Sequence, residues 1–288
     1  MFHESTQKGL WFFENEQMIA DVRNTKYKDI PSISADEEYQ LVLFYDRLVR
    51  EFCDTCKPRI PRATMATACA YLKRLYLRHS VIDYPIEMYY RTCVYLACKV
   101  DEFNLTSDDF ISNFISQGVT ESKAQDLVQQ ILKTELKLIS LLQFSLIVYS
   151  PYRPLDGFLI AMKNFYINVI IPKPTDEKAI VTEIDSMSAK ADSFILWSLA
   201  TDVCFLFSPS QIALASVLYA SKGLSFDFLK FLEHLTGGSE STERFNNLYS
   251  KLCVIVNNVK ALKLPNKDYV DSILRKINDY LEVQNSGL

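Results

Sequence analysis

The motif S-P-Y-R-P at residues 150–154 divides the chain near its middle. Two prolines this close together disfavour a continuous helix and mark a boundary. On both sides of the motif, apolar residues recur at the spacing of amphipathic helices, and only 7 of the 288 residues are glycine. The pattern predicts an all-α protein with one set of helices before the boundary and a second set after it.

Capping residues and prolines place the individual helices. Five helices are predicted before the boundary, at residues 34–56, 62–78, from Pro85 through Lys99, 106–116 and 120–144. Five are predicted after it, at residues 155–165, 176–207, 208–222, 225–235 and 241–262. Further helices are expected at 5–26 and 265–282. The predicted divisions are an N-terminal helix and linker (1–34), two helical domains (35–149 and 150–262) and a C-terminal helix (263–288).

A weak internal repeat relates the two sets of helices. The segment V-Y-L-A-C-K at 94–99 aligns with V-L-Y-A-S-K at 217–222, and valine, alanine and lysine are identical. Each segment lies in the third predicted helix of its set. The shared order of helices therefore favours two tandem copies of one five-helix fold.

Composition argues against several classes of function. The net charge is −4 and no basic stripe is present, so direct nucleic-acid binding is not expected. No apolar run approaches the roughly 20 residues needed to span a bilayer, and residues 1–9 lack the features of a secretory signal. Seven cysteines, mostly within helical patterns, fit reduced thiols in a reducing compartment.

The sequence predicts no catalytic, cofactor-binding or metal site. His3, His79 and His234 have no neighbours spaced as metal ligands or as a catalytic triad. The pair Cys53-x-x-Cys56 has no second half that would complete a zinc site. No glycine-rich phosphate-binding loop is present.

Two charged residues interrupt apolar helical faces. Lys99 has Tyr95, Leu96 and Phe103 among its neighbours three and four positions away, and the corresponding neighbours of Glu135 are all Ile or Leu. A charge on a buried face is costly unless it is paired. Two interpretations remain open from the residues alone: an internal salt bridge, or a pair of charges on an apolar docking surface.

Four motifs resemble the cyclin family, and the resemblance covers nearly the whole chain. They are A-C-A-Y-L-K-R-L-Y-L at 68–77, T-C-V-Y-L-A-C-K-V-D-E-F-N at 92–104, L-L-Q-F-S-L-I-V-Y-S-P-Y-R-P-L-D-G-F-L-I at 141–160 and S-P-S-Q-I-A-L-A at 208–215. The segments K-V-D-E-F-N and P-Y-R-P-x-x-G-F-L-I are most similar to the cyclin H branch. The resemblance implies two tandem five-helix cyclin boxes, with the N- and C-terminal helices packed against the first box.

The resemblance also implies a function and a binding site. Cyclins bind a cyclin-dependent kinase beside its mobile C-helix and favour the active form, in which that helix supplies a Glu to the ATP-binding Lys. By motif match, Lys99 and Glu135 would hydrogen-bond the kinase backbone, while Ile139, Phe144 and Leu146 would supply apolar contacts.

The cyclin H branch implies particular partners. The kinase would be of the CDK-activating type and the third subunit a RING-finger assembly factor. The complex would join the transcription factor IIH core in the nucleus, without membrane or cofactor. Its substrates would be kinase activation loops and the RNA polymerase II C-terminal repeats. The alternatives are a Mediator-type cyclin C and a cyclin-fold adaptor that binds DNA or a scaffold.

The chain departs from cell-cycle cyclins at two places. Lys73 occupies the position of an Asp that pairs internally with an Arg in those cyclins. The motif M-R-A-I-L is absent from the first helix, where residues 40–44 read Q-L-V-L-F. Substrate docking through the cell-cycle hydrophobic patch is therefore not expected.

Overall fold

The computed structural model describes residues 2–26, 33–170, 177–223, 227–237 and 242–286. Most of the predicted linker, with Pro31, lies outside these ranges. So do Pro172, Pro174, Gly238 and Ser225, the last of which begins a predicted helix. Within the described ranges the chain is helical and contains no strand, which confirms the predicted all-α class.

The chain separates into two units. Residues 1–148 and 263–288 form the first unit, and residues 149–262 form the second. The helices of the first unit are, in chain order, α1 (Thr6–Trp11), α2 (Glu16–Thr25), α3 (Ala35–Thr55), α4 (Arg62–Arg78), α5 (Ile86–Val100), α6 (Ser107–Ser116) and α7 (Glu121–Leu141). The helices of the second unit are α8 (Tyr152–Asn164), α9 (Glu177–Ser198), α10 (Val203–Leu206), α11 (Pro209–Ala220), α12 (Phe228–Thr236) and α13 (Thr242–Ala261). A π-helical segment, Phe165–Val169, directly follows α8. The C-terminal helix α14 (Lys267–Ser286) belongs to the first unit.

Local capping begins several helices where the sequence predicted. Ser34 Oγ accepts a hydrogen bond from the backbone N–H of Glu37, and Glu37 Oε2 accepts one from the backbone N–H of Ser34. Thr106 and Asp109 form the same reciprocal arrangement at the start of α6. Each capping box satisfies two backbone donors that the helix itself leaves unpaired.

Helix α4 is the central element of the first unit. Nearly every residue from Thr64 to Leu77 is buried, including the charged Lys73 and Arg74, so neighbouring segments cover this helix on all sides. It packs against α2, α3 and α5, and α5 in turn packs against α7. Thr92 of α5 and Thr134 of α7 are hydrogen-bonded, and Lys99 near the end of α5 reaches Glu135 on α7.

The N-terminal segment forms two helices, so the prediction of one helix through Lys26 was wrong. Phe12 ends α1 in an extended conformation. Asn15 then caps α2 by accepting a hydrogen bond from the backbone N–H of Met18 at 3.0 Å. An asparagine at this place favours a new helix start over continuation, because its side chain satisfies a free backbone donor.

Both terminal segments pack on the first unit, as expected. Helix α2 contacts α4, and α14 contacts α3. At the end of α2, Lys26 Nζ is hydrogen-bonded to Glu38 of α3 and to the carbonyl oxygens of Tyr76 and His79. Helix α14 buries Val270, Ile273 and Ile277, whereas Tyr269 of the same helix is exposed.

The second unit is built around α11, which packs against α8, α9 and α13. Two predicted boundaries were wrong. Helix α8 begins at Tyr152, so that Pro154 lies in its first turn, where the missing N–H removes no helical hydrogen bond. The helix predicted over 176–207 ends at Ser198, and the short α10 follows.

Candidate functional site

Lys99 and Glu135 form an ion pair between the adjacent helices α5 and α7. Lys99 Nζ donates a hydrogen bond to Glu135 Oε1 at 2.6 Å. About half of the Lys99 side chain (51%) is exposed, against 12% of Glu135. The hydrogen bond to Glu135 raises the pKa of Lys99 above its ordinary value, so the ammonium group stays protonated at neutral pH.

The helices that carry this pair are held together beneath it. The hydroxyl groups of Thr92 and Thr134 are hydrogen-bonded at 2.9 Å between α5 and α7. Ile131 and Leu138, one turn before and one turn after Glu135, are buried. Glu135 therefore lies at the edge of the core, and Lys99 reaches it from the solvent side. The two charges do pair, but on the surface and not inside the core.

An exposed ion pair contributes little to folding. Pairs of this kind stabilise proteins by about 0–1 kcal/mol, because water and the entropy of two long side chains offset the attraction. Lys99 uses one of its three N–H donors on Glu135. Among the described residues, no hydrogen bond to Glu135 Oε2 is found. The pair thus retains both donor and acceptor capacity towards solvent.

Large apolar side chains extend from the second half of α7 into the turn that comes after it. Leu136 is 78% exposed and Phe144 is 75% exposed, and Leu132 and Ile147 are also exposed. Of the other residues predicted for this site, Ile139 and Leu146 are only partly accessible. The Lys99–Glu135 pair together with Leu132, Leu136, Phe144 and Ile147 is named the α7 surface.

Phe144 is exposed because the backbone turns sharply there. Helix α7 ends at Leu141, three residues before the predicted end, and Gln143 and Phe144 both adopt left-handed conformations with φ of 54° and 56°. Such conformations are unfavourable for residues with a Cβ, so the surrounding contacts must hold the turn in place. The Phe144 N–H donates to the carbonyl of Ile139 at 3.1 Å, which closes the turn onto the end of α7.

Leu132, Leu136 and Ile147 were not predicted from the sequence as members of this site. A signal for Leu136 was present, because Leu132, Leu136 and Ile139 form a second apolar stripe beside the stripe of Val128, Ile131 and Leu138. A helix that packs on one side needs only one such stripe. No comparable pattern pointed to Ile147, whose exposure depends on the turn.

Neither a metal-binding cluster nor a membrane-spanning helix is found among the described residues. They contain no cluster of three or more His, Cys, Asp or Glu side chains placed to hold a metal ion. Cys53 and Cys56 are both buried, and burial raises the pKa of the Cys56 thiol to about 11. None of the helices in the described ranges combines the length and the hydropathy that a bilayer-spanning helix requires.

Two family models match the chain in tandem. The model of the cyclin N-terminal domain matches residues 52–147, and that of the cyclin C-terminal domain matches residues 150–263. The first domain contains α4 to α7 and therefore the whole α7 surface.

Cyclins of the H type from two organisms match at the level of sequence. Cyclin-H of Xenopus laevis is 34% identical over 263 residues, which cover 86% of this chain and 77% of that protein. Cyclin-H1-1 of Arabidopsis thaliana is 32% identical over 255 residues, which cover 88% of this chain and 70% of that protein.

Two solved complexes contain a chain of the same fold. One is the CAK complex of Chaetomium thermophilum bound to ATP-gamma-S, with a TM-score of 0.77, 22% identity, and 96% of this chain and 88% of that chain covered. The other is the yeast TFIIK (Kin28/Ccl1/Tfb3) complex, with a TM-score of 0.70 and 24% identity. The match covers 89% of this chain and 99% of that chain. At these identities the likeness concerns the fold alone. The two tandem domain matches and the relatives above 30% identity show that this chain belongs to the cyclin family.

Proposed function

We propose that this chain is a cyclin H-type regulatory subunit that binds and activates a cyclin-dependent kinase of the CDK-activating type. The observation that carries the proposal is the α7 surface itself. An ion pair that contributes little to folding lies beside large exposed apolar side chains, in a family whose members regulate kinases. The chain supplies a docking surface, and the partner kinase supplies the catalytic groups.

Each part of the α7 surface has a distinct task in this proposal. The Lys99 ammonium group donates to backbone carbonyl groups of the kinase, and the Glu135 carboxylate accepts from backbone N–H groups. Because the two charges neutralise each other, burying the pair in an interface removes no net charge from water. Phe144 and Leu136 cover apolar side chains of the kinase C-helix, with Ile139, Leu146 and Ile147 at the margin.

Activation follows from a difference in affinity. The kinase exchanges between inactive forms and one in which its C-helix Glu pairs with the ATP-binding Lys. A subunit that binds the second form more tightly shifts the kinase towards it by that difference in binding free energy. Because α5 packs against α7 and Thr92 is hydrogen-bonded to Thr134, the two helices present their charged pair together to the kinase C-helix.

The wider assembly is proposed on the same basis. The yeast complex named above consists of Kin28, Ccl1 and Tfb3, which supports an assembly of three proteins. In the proposal, a RING-finger assembly factor completes the trimer, which joins the transcription factor IIH core in the nucleus. The substrates are activation loops of cyclin-dependent kinases and the C-terminal repeats of RNA polymerase II.

Reconstitution tests this proposal. The purified chain is mixed with monomeric CDK-activating kinase, with and without the assembly factor, and phosphorylation of a polymerase-repeat peptide and of a kinase activation loop is followed. Strong stimulation that requires Lys99 and Glu135 is expected. Stimulation of a different kinase only would favour a cyclin C-type role, and salt-sensitive DNA binding without kinase binding would favour an adaptor.

A further inference from the structure

The turn that presents Phe144 is held from α4. Arg74 Nη1 donates a hydrogen bond to the Ser145 carbonyl at 2.8 Å, and Tyr71 Oη donates one to the Leu146 carbonyl at 2.5 Å. Residues 71 and 74 are one helical turn apart, so both donors lie on the same side of α4. Two fixed donors, one of them charged, thus hold the backbone immediately after the left-handed Phe144.

Helix α1 contacts the same turn and the same arginine. The Ser145 hydroxyl donates to Thr6 Oγ1 at 2.9 Å, across 139 positions of sequence. The buried Trp11 ring lies 5.5 Å from the Arg74 guanidinium carbon and 4.5 Å from that of Arg78. Arg78 in turn donates to the Leu10 carbonyl at 2.7 Å. Helix α1 therefore covers the side chain that holds the turn and contacts the turn directly.

We propose that Arg74, Tyr71 and Thr6 are positioning residues for the docking turn, and that α1 acts through them to set the direction in which Phe144 faces the kinase. This inference rests on the proposed function, because it assigns a role to residues behind the docking surface. None of the three needs to touch the kinase. Their effect is to maintain a backbone conformation that Gln143 and Phe144 would otherwise leave.

Two conservative variants test this role. Tyr71→Phe removes only the hydroxyl group that donates to Leu146. Thr6→Val removes only the acceptor for Ser145, and Thr6→Ser restores it. Tyr166→Phe is the matched control, because the Tyr166 hydroxyl donates in the same way to the Asp227 carbonyl in the second unit.

The first measurement needs no partner. Amide hydrogen exchange over residues 142–148 is compared in the free chains, together with their melting temperatures. We expect exchange at Phe144, Ser145 and Leu146 to rise about fivefold in Tyr71→Phe and in Thr6→Val, to return to normal in Thr6→Ser and to stay unchanged in Tyr166→Phe. Unchanged exchange in both test variants would overturn the inference.

The second measurement separates positioning from a general loss of structure. Kinase affinity is measured for Tyr71→Phe, for Phe144→Ala and for the double variant. If Tyr71 acts through the turn, Tyr71→Phe weakens kinase affinity by about fivefold in the unmodified chain. The same substitution has no effect on affinity when Phe144 is already alanine. Additive losses would overturn the positioning role while leaving the proposed function intact. Failure of the unmodified chain to bind the kinase would refute both.

Discussion

Lys26 and Glu38 form an ion pair inside the first unit, with 8% and 2% of their side chains exposed. Their remaining hydrogen-bonding capacity is also used, because Lys26 contacts two carbonyl groups and Glu38 Oε1 accepts from the Val81 N–H at 2.9 Å. The Lys99–Glu135 pair of the same unit is largely exposed on the lysine side. One pair is therefore part of the fold, and the other remains accessible to a partner.

The buried pair should be essential for stability. Lys26→Met leaves the Glu38 carboxylate buried without its cation, and we expect it to lower the free energy of unfolding by about 3–5 kcal/mol. Urea denaturation followed by circular dichroism measures this. The double variant Lys26→Met, Glu38→Leu should recover part of the loss, because no charge is then left buried. A loss below about 1 kcal/mol in the single variant would contradict the assignment.

The exposed pair should matter for binding and not for folding. We expect Lys99→Ala with Glu135→Ala to weaken kinase binding by about 30-fold or more, and to change the free energy of unfolding by less than about 1 kcal/mol. Calorimetric titration and thermal unfolding measure the two effects. The control replaces Lys163 and Asp185, which pair at the same 2.6 Å distance on the second unit. Equal losses of binding in both double variants would argue against a specific site.

Phe144 should behave as a binding residue with no role in the core. We expect Phe144→Ala to weaken kinase binding by about 10-fold to 30-fold and to leave the unfolding midpoint unchanged, because the side chain already lies in water. Ile160→Ala, at another exposed apolar residue, is the control for binding. The opposite pattern, with lower stability and normal binding, would show that Phe144 supports the fold instead.

The stability of the first unit should fall in mild acid because of His79. Burial lowers the pKa of His79 below its ordinary value of 6.5, although a hydrogen bond to the Leu141 backbone acts in the opposite direction. The unfolded chain therefore binds a proton at His79 near pH 6.5, while the folded chain does so only at lower pH. Protonation thus favours unfolding as the pH falls through this interval.

Urea midpoints at pH 7.5 and pH 5.5 test the role of His79. We expect a lower midpoint at pH 5.5, and a smaller difference between the two values in His79→Gln. Both values of pH lie above the range in which the hydrogen-bonded Glu37 carboxylate, with its lowered pKa, takes up a proton. An identical pH dependence in the two chains would assign the effect to other groups.

Local signals in the sequence predicted much of the fold. Ser34 and Thr106 begin helices because their side chains satisfy backbone donors within the next three residues, which is a strictly local interaction. The break between α1 and α2 had a local signal in Asn15. It was missed because the apolar residues on its two sides continue a helical pattern, so the boundary depends on competition between capping and periodicity.

The candidate site was only partly predictable. Lys99 and Glu135 could be identified, because charges on apolar faces are unusual. Their exposure could not be predicted, since the pattern of one helix does not reveal which of its faces the neighbouring helices cover. The exposure of Phe144 depends on Arg74 and Tyr71, which lie about 70 positions earlier in the sequence and hold the turn through its backbone.

The return of α14 to the first unit has a consequence for synthesis of the chain. Lys276 of α14 pairs with Glu37 of α3 at 2.5 Å, across 239 positions of sequence. During translation, the first unit therefore cannot be completed when its own helices emerge from the ribosome. The part of α3 that α14 contacts stays uncovered until the entire second unit has been made. The first unit, whose helices are made first, is therefore completed only after the second unit.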